Sequence, residues 1–438
     1  MTRKAVLERA AASALGAVAF DAFGTGRAHA APFPPASAYS AEVPAAWFEL
    51  ALELVRTTPG FTPPVASRAL GYAGVALYEA LVPGLTDRQS LAGRLNGLTR
   101  SPGPTDAAYH WPTVANSALA SILRALFPTA PAAGVEAIEA LEHRFASEAG
   151  HFLPLGLHRR SAQRGAAIAL HVFEWSTTDG GHEGFRNNFP PYTPPSGPGL
   201  WEPTPPGFAR ALQPYWGSNR PFVLPSGSSC PAPPPLPYSE DPSSSFYAEG
   251  HDCYVATTQV TVEQEAIARF WSDDPGATPT PPGHSISILS QVVRALELPL
   301  DRAADAYARV GIAVADAFIV CWNTKYQHNL LRPITYIRRA IDPGWTPLLV
   351  TPPFPEYTSG HSVQSAATAQ VLTDLFGPLA FTDRTHESRG LPARSFGSFL
   401  EASHEAAISR LYGGIHFRAA IERGIEQGIW LGRQVSTF

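Results

Sequence analysis

Apolar residues recur at spacings of three and four along most of this chain, which is the periodicity of amphipathic α-helices. Alternating apolar and polar residues joined by hairpin turns, the pattern of a β-sheet, are nearly absent from the sequence. We therefore expect an all-α protein built from helical bundles. The stretches with helical periodicity are 45–56, 65–81, 114–126, 135–149, 157–175, 262–271, 286–296, 303–326, 363–376, 396–411 and 417–434.

The chain changes character between residues 180 and 245, where proline, glycine, serine and aromatic residues replace the helical pattern. A segment of this length without helices is either a disordered linker or a functional covering loop. Large apolar side chains such as Trp201 favour an ordered loop. We expect one unit over residues 31–438, with an N-terminal bundle at about 44–180, a proline-rich loop at about 181–245 and a C-terminal bundle at about 246–438.

Residues 2–30 have the composition of an export signal. Three basic residues, Arg3, Lys4 and Arg9, precede a small apolar run at 10–20, and Ala28-His-Ala30 has the A-x-A form of a cleavage site. A frayed N-terminal helix is the alternative interpretation. We expect a mature chain that begins near Ala31 and is exported to the periplasm or the extracellular space.

The remaining composition excludes two classes of partner. A net charge of −5 and a pI near 6.3 leave no basic surface for nucleic acid. No other segment approaches the roughly 18 uninterrupted apolar residues of a membrane span. We therefore expect a small molecule or ion as substrate and no integral membrane segment after processing.

Two of the three cysteines lie in or beside the proline-rich region. In an exported protein Cys230 and Cys253 could form a disulfide or remain free thiols. Cys321 lies in an apolar helical stretch, which predicts a buried thiol.

The first candidate functional motif is Lys325-x6-Arg332-Pro333. On one helix, residues seven apart differ by only about 20° in direction, so both cations would share a face. Proline disfavours helical conformation in the residue before it, so the helix is expected to end at Arg332. This places the two cations on its last two turns, although a pair of solvated cations near a helix C-terminus would show the same spacing.

The second motif is Pro355-Glu-Tyr-Thr-Ser359-Gly360-His361. Ser359 can cap a helix that starts near Gly360, and glycine lets the backbone approach a ligand closely. A helix N-terminus carries free N–H groups and binds anions readily. The motif therefore predicts either an anion site or an ordinary helix cap.

The third motif is Ser409-Arg410-x5-His416, which contains Gly413 and Gly414. On a continuous helix Arg410 and His416 would point about 120° apart. Since glycine costs about 1 kcal/mol in a helix interior, the diglycine predicts a break that turns His416 toward Arg410. The three motifs together indicate a site for a tetrahedral oxyanion.

In this order the three motifs resemble the signature of the superfamily that unites vanadium-dependent haloperoxidases with type 2 phosphatidic acid phosphatases. The match covers residues 325–416, and a fainter likeness to bacterial haloperoxidases extends upstream through 68–80, 201–206, 216–222 and 270–284. The resemblance implies a helical-bundle fold with long proline-rich connecting loops and an active site in the C-terminal bundle.

The resemblance further implies a role for each motif residue around a vanadate cofactor. Its oxygens would be bound by cations and hydrogen-bond donors from Lys325, Arg332, Ser359, Gly360 and Arg410. His416 would coordinate vanadium, and His361 would exchange protons with hydrogen peroxide. Lys325 would also polarise the oxygen atom that a halide attacks, so His361, Lys325 and His416 are the expected catalytic residues.

Phosphate could bind to the same set of cations and hydrogen-bond donors, called the cage below, with His416 as the phosphoryl-accepting nucleophile. In the phosphatase pattern an aspartate four residues later orients this histidine, whereas here that position is Ala420. Trp322 and Phe354 match aromatic positions that flank the halide site of haloperoxidases. His284, expected in a loop, is a further candidate for the halide pocket or its entrance.

These observations favour a haloperoxidase that oxidises a halide with hydrogen peroxide to hypohalous acid, which then halogenates a small organic acceptor. Iodide or bromide is favoured because both are easier to oxidise than chloride. An acid phosphatase and a non-catalytic oxyanion-binding protein are the alternatives. Outside the three motifs, Asp273 and Asp274 are a candidate cation site, although helix termination also accounts for them.

Overall fold

The structure is a computed structural model that describes residues 34–103 and 107–437. The predicted export signal and the predicted start of the mature chain near Ala31 lie outside these residues. Thirteen α-helices form the described part, and its two short strands pair antiparallel with Phe381 opposite Phe396. The prediction of an all-α protein is confirmed.

The helices, in chain order, are α1 (Glu42–Thr57), α2 (Pro63–Leu81), α3 (Trp111–Leu126), α4 (Ala132–Gly150), α5 (Leu155–Ser176), α6 (Ser245–Thr258), α7 (Val262–Phe270), α8 (Thr280–Ala295), α9 (Leu300–His328), α10 (Pro333–Ala340), α11 (Gly360–Phe376), α12 (Phe399–Tyr412) and α13 (Arg418–Ser436). The strands β1 (Phe381–Asp383) and β2 (Arg394–Phe396) lie between α11 and α12.

Helix α9 is the centre of the fold. It is 29 residues long, is buried along nearly its whole length, and packs against α2 on one side and α11 on another. The close approach to α2 depends on Gly74, where a Cβ atom would lie 2.5 Å from the Tyr307 carbonyl oxygen. At this crossing the two helix backbones are so close that only glycine, which has no side chain, fits at position 74.

A second tight crossing joins α11 to α13. A Cβ atom at Gly428 would lie 2.3 Å from the Val363 carbonyl oxygen. The same pair of helices is linked at the start of α11, where the Ser359 N–H donates to the Ala420 carbonyl at 3.0 Å. The N-terminus of α11 is therefore held at a defined height along α13.

The proline-rich segment packs on the helices through buried aromatic side chains and backbone hydrogen bonds. Trp201 and Trp216 are buried, and the Trp201 N–H donates to the Asn329 carbonyl at 2.7 Å. The Phe222 N–H donates to the buried carboxylate of Asp316 at 2.6 Å. These contacts attach the segment to α9 and to the turn that follows it.

The three cysteines are all buried free thiols, so the possible Cys230–Cys253 disulfide is not formed. The two residues have different neighbours. The Cys230 backbone carbonyl accepts a hydrogen bond from Gln427 on α13, whereas Cys253 packs in a separate apolar cluster with Phe246 and Phe417. The predicted burial of Cys321 is confirmed.

Within the described ranges, no helix is at once long enough and apolar enough to traverse a lipid bilayer.

Candidate active site

The first motif does not lie on one helix, as expected, but across a sharp turn. Helix α9 ends at His328 because Asn329 adopts a left-handed conformation with φ of 45°. Arg332 is extended and precedes the first residue of α10, Pro333, which suits that position because it has no N–H to satisfy. Lys325 and Arg332 therefore reach the site from two different elements, and the prediction of a shared helix face was wrong.

Lys325 is completely buried, and its ammonium group is held by the loop that carries the second motif. Its Nζ donates to the backbone carbonyls of Pro355, Glu356 and Thr358 at 3.0, 2.9 and 2.5 Å. Burial lowers the pKa of Lys325 to about 8. All three N–H groups thus have backbone acceptors, so a direct contact to an oxyanion would require one of these hydrogen bonds to be exchanged.

Arg332 is also fully buried and fixes the segment around His416. Its Nε donates to the Phe354 carbonyl at 2.8 Å, and its Nη1 donates to the Ile415 carbonyl at 2.8 Å. The same Nη1 lies 3.2 Å from His416 Nε2. The first and third motifs therefore meet directly.

The hydrogen bonds around His416 define its tautomer. Arginine can only donate, so the His416 Nε2 atom beside Arg332 carries a lone pair. The other ring nitrogen, Nδ1, donates to Glu356 Oε1 at 2.8 Å. Burial, with the positive charges of Arg332 and Lys325, holds the pKa of His416 well below its usual range. His416 is thus a neutral imidazole whose Nε2 lone pair accepts from Arg332, so a bond from Nε2 to another atom would require this hydrogen bond to be exchanged.

Glu356 is the residue that sequence reasoning missed. It is fully buried, accepts from both His416 Nδ1 and the Phe417 N–H, and takes the place of the carboxylate that was expected to be lost at Ala420. Burial raises the pKa of Glu356 to about 7, against the opposing effect of Lys325 and Arg332. Glu356 belongs to the second motif, but its proximity to His416 depends on the fold of the loop and is not visible in the sequence.

The second motif begins helix α11. Ser359 is its N-cap, with the side-chain oxygen 3.4 Å from the Ser362 N–H, and Gly360 is the first helical residue. The first N–H groups of any α-helix have no partner within the helix. A Cβ atom at Gly360 would find its nearest neighbours, in Trp322 and Cys321, only at 3.8 and 3.9 Å. Glycine there is not required by these neighbours.

Helix α12 ends at Tyr412, and Gly414, with φ of 73°, turns the chain before His416. The break that the diglycine predicts is confirmed. Arg410, in the last turn of α12, is buried and donates from Nη1 to the Trp271 carbonyl at 2.8 Å. The Trp271 carbonyl also accepts a hydrogen bond from His361, which raises the pKa of His361. Burial and the charge of Arg410 have the larger, opposite effect and lower this pKa.

Four buried polar atoms from these elements have no hydrogen-bonding partner among the described residues: Arg332 Nη2, Arg410 Nε, His361 Nε2 and Ser362 Oγ. Leaving a charged donor buried and unpaired costs more than 1 kcal/mol per group, so such atoms require an acceptor. Two guanidinium groups with unpaired N–H groups and a neutral imidazole nitrogen beside one of them fit a multiply charged oxyanion whose central atom accepts a nitrogen ligand. The residues present therefore fit vanadate.

The aromatic candidates for a halide pocket divide into two groups. Trp322 and Phe354 pack together with ring centroids 4.9 Å apart, and Phe354 lies 5.2 Å from Lys325 Nζ and 4.8 Å from the Arg332 guanidinium. His284 lies in helix α8 rather than in a loop, is 1% exposed, and bonds through both ring nitrogens to aspartates. It is therefore not at an entrance, and that part of the prediction was wrong.

The family model of the VCPO second helical-bundle domain matches residues 305–342 and 339–438. No curated protein matches the chain. A crystal structure described as the first bacterial vanadium-dependent iodoperoxidase is 39% identical, with a TM-score of 0.83 over 91% of this chain and 96% of that one.

Two further crystal structures share the fold at lower identity. The holo form of a bacterial vanadium-dependent chloroperoxidase is 16% identical, with a TM-score of 0.68 over 87% of this chain and 93% of that one. Its apo form is also 16% identical, with a TM-score of 0.66 over 88% of this chain and 95% of that one. The fold and the oxyanion site define a haloperoxidase-type helical protein. The chain belongs to the family of vanadium-dependent haloperoxidases.

Proposed function

We propose that this chain is a vanadate-dependent haloperoxidase that oxidises iodide or bromide with hydrogen peroxide to hypohalous acid. The observation that carries the proposal is the neutral His416, whose Nε2 lies 3.2 Å from Arg332 Nη1, together with unpaired N–H groups on the buried Arg332 and on Arg410, whose charge also lowers the pKa of His416. When bound, vanadate supplies the activation of peroxide, and the protein supplies binding, charge and proton transfer.

Each motif residue has a defined task in this proposal. Arg332 and Arg410 neutralise the oxyanion through N–H groups that have no other acceptor among the described residues. Ser359 and Gly360 contribute the start of α11, where N–H groups without an intrahelical acceptor can donate to the oxygens of an anion. Lys325 adds a third positive charge and fixes the loop that carries Ser359.

His361 is the proposed proton carrier. Its Nε2 atom is buried without a partner among the described residues, and burial together with Arg410 holds its pKa well below the usual range. The imidazole is therefore neutral at neutral pH and can accept a proton from hydrogen peroxide at Nε2. The proton can then be returned to the oxygen atom that leaves with the halide.

The halide is proposed to approach along Trp322 and Phe354, which form the apolar wall beside Lys325 and Arg332. An apolar wall favours large, weakly hydrated ions, in line with iodide or bromide. The 39% identical relative is described as an iodoperoxidase, which supports the same preference. Measurable chloride oxidation at neutral pH would contradict the preference without affecting the haloperoxidase proposal.

A phosphatase is the second candidate, and one observation favours it. Glu356 orients His416 as a carboxylate orients a nucleophilic histidine, so the missing aspartate at Ala420 no longer excludes phosphoryl transfer. In that reaction His416 Nε2 would attack phosphorus and His361 would protonate the leaving oxygen. A non-catalytic oxyanion-binding protein would have the cage without either activity.

A single set of assays separates the three candidates. Purified protein is given vanadate, peroxide and each halide in turn, and separately a phosphomonoester without vanadate. We expect iodide and bromide oxidation that is lost in His416→Ala and in His361→Ala, while His404→Ala, a change at an exposed histidine, has no effect. Phosphomonoesterase activity alone would reverse the choice, and tight phosphate binding with neither activity would indicate a binding protein.

We also propose that residues 1–30 direct export to the periplasm or beyond, on the basis of their basic, apolar and A-x-A composition. The N-terminal residue of the secreted protein should then be Ala31. A secreted or cytoplasmic product that retains Met1 would contradict this proposal.

A further inference from the structure

A second cluster of ionisable side chains lies beside the oxyanion site and takes no part in the proposed reaction. Asp273 follows helix α7, His284 lies in α8, and Asp383 and His386 belong to β1 and the turn after it. All four side chains are at most 2% exposed. Ionisable groups buried to this degree are normally paired or bound to metal.

His284 is the centre of the cluster. Its Nδ1 lies 2.8 Å from Asp273 Oδ2, and its Nε2 lies 2.7 Å from Asp383 Oδ2. The imidazole rings of His284 and His386 are nearly perpendicular, with centroids 4.8 Å apart. One ligand atom from each of Asp273, His284 and His386 lies within 4.8 Å of the others.

Two atoms in the cluster are left without a hydrogen bond. Asp273 Oδ1 and His386 Nε2 are 3.1 Å apart, yet their alignment is not that of a hydrogen bond, and neither has another partner in the described chain. If His386 Nε2 carries no proton, two buried lone-pair atoms lie 3.1 Å apart and require a positive centre beside them.

We propose that Asp273, His284 and His386 bind one divalent transition-metal ion, with zinc as the ion that the ligand set fits best. Two imidazoles and one carboxylate are ligands of borderline hardness that zinc accepts in tetrahedral sites. Ligand atoms around tetrahedral zinc are roughly 3.3 Å apart, given bond lengths near 2.0 Å. The distances of 2.8 and 3.1 Å within the cluster need only a small expansion.

Asp383 fits this arrangement as the residue that orients a ligand. If His284 Nδ1 binds the ion, its Nε2–H donates to Asp383, which is the carboxylate contact that metal-bound histidines normally make. Asp383 is itself fixed, because its other oxygen accepts from the Thr385 N–H at 2.9 Å. A metal would also balance the charge of the two carboxylates.

The competing arrangement contains no metal. In it His284 is a positively charged imidazolium between two carboxylates, and burial between them raises its pKa to about 10. His386 would then hold its proton on Nε2, with Arg389 Nη1 3.4 Å from Nδ1. The two arrangements differ in whether the protein binds a stoichiometric cation, which makes them separable by experiment.

The ion would stabilise the wall of the oxyanion site. Asp273 is two residues from Trp271, whose carbonyl accepts from Arg410 and whose ring stacks on His284 at 4.5 Å. Holding Asp273 in place would hold Trp271, and through it the Arg410 guanidinium. This inference concerns structure and is independent of vanadate and of peroxide chemistry.

The test is metal binding by the full-length protein without vanadate. The protein is stripped with a chelator, given a small excess of zinc, dialysed and analysed for metal, and its thermal unfolding is measured in parallel. We expect about one zinc per chain and a higher melting temperature with zinc for the wild type. The control variant His404→Ala, which removes an exposed histidine outside the cluster, should behave in the same way. His386→Ala should lose both effects, and Asp383→Asn should bind zinc about 10- to 100-fold more weakly.

A second measurement does not depend on the folding of any variant. Cobalt added to the stripped wild-type protein should give the visible absorption bands of a tetrahedral site, and one equivalent of zinc should remove them. A wild-type protein that binds no more zinc than His386→Ala, or that gives no such cobalt spectrum, overturns the proposal in favour of the imidazolium arrangement.

Discussion

Replacement of Glu356 by glutamine tests the orientation of His416 most sharply. Glutamine keeps the size of the side chain and an oxygen that can accept from His416 Nδ1 and the Phe417 N–H, now at 2.8 and 2.9 Å. Above pH 7, where the Glu356 carboxyl is ionised, it removes the charge that strengthens these hydrogen bonds. Charge-assisted hydrogen bonds contribute about 1.5–3 kcal/mol and neutral ones about 0.5–1.5 kcal/mol.

The difference of about 1–1.5 kcal/mol corresponds to roughly a tenfold loss in vanadate affinity, because about 1.4 kcal/mol is a factor of ten. Loss of the carboxylate that accepts a hydrogen bond from a metal-bound histidine generally lowers metal affinity about 10- to 100-fold. Glu356→Ala, which leaves the Nδ1–H and the Phe417 N–H unpaired, should lie at the upper end of that range.

Phosphate provides the control. Its oxygens bind to the same cationic side chains as those of vanadate, but reversible phosphate binding requires no bond between phosphorus and His416. Removing a negative charge near an anion site should leave phosphate binding unchanged or stronger. We therefore expect Glu356→Gln to weaken vanadate binding and not phosphate binding, as measured by calorimetric titration of each ion. Equal losses for both ions, or vanadate affinity within twofold of the wild type, would refute the role given to Glu356.

Three further predictions concern the site and the fold. His416→Ala should lose vanadate binding and halide oxidation but still bind phosphate in the same titrations, since Arg332 and Arg410 remain. Gly74→Val should lower the free energy of unfolding by several kcal/mol, measured in urea, because its Cβ would meet the Tyr307 carbonyl at 2.5 Å; Gly150→Val, with no atom within 4 Å of its Cβ, is the control, and equal losses would contradict the packing argument. In metal-free protein, His361 and His416 have pKa values held well below 6.5, so their contribution to stability falls as the pH drops below 6.5, by up to about 2.7 kcal/mol per pH unit for the two groups. Glu356, with a pKa raised to about 7, and Lys325, with a pKa lowered to about 8, give slopes of the opposite sign below pH 7 and above pH 8, so the histidine contribution is read from a variant. His284, with a pKa of about 10, contributes stability that is fully present below pH 6.5 and is lost as the pH rises toward 10. Urea denaturation of the wild type and of His284→Gln from pH 5 to 9 checks this: the difference in stability between the two proteins should shrink above pH 6.5, and a difference that does not change with pH would contradict it.

The helical class and the three motifs followed from the sequence because both depend on local spacing. Apolar periodicity reports which face of a helix is buried, and the diglycine at 413–414 reports a break. The position of the break at Asn329 did not follow, because it depends on a left-handed conformation that many asparagines do not adopt. Arg332 was consequently assigned to the wrong element.

Contacts between distant residues account for the rest of what was missed. Glu356 and His416 are 60 residues apart, and no local pattern connects them. His284 has aspartates on both sides only because β1 brings Asp383 to helix α8, 99 residues away. The three backbone carbonyls that bind Lys325 have no side-chain signature at all.

The most direct measurement is a crystal structure of the protein loaded with vanadate. The account predicts one vanadate with His416 Nε2 bonded to vanadium, Arg332 Nη2 and Arg410 Nε on its oxygens, and Glu356 still bonded to His416 Nδ1. A vanadate bound elsewhere, or one within the cage that leaves His416 uncoordinated, would contradict it.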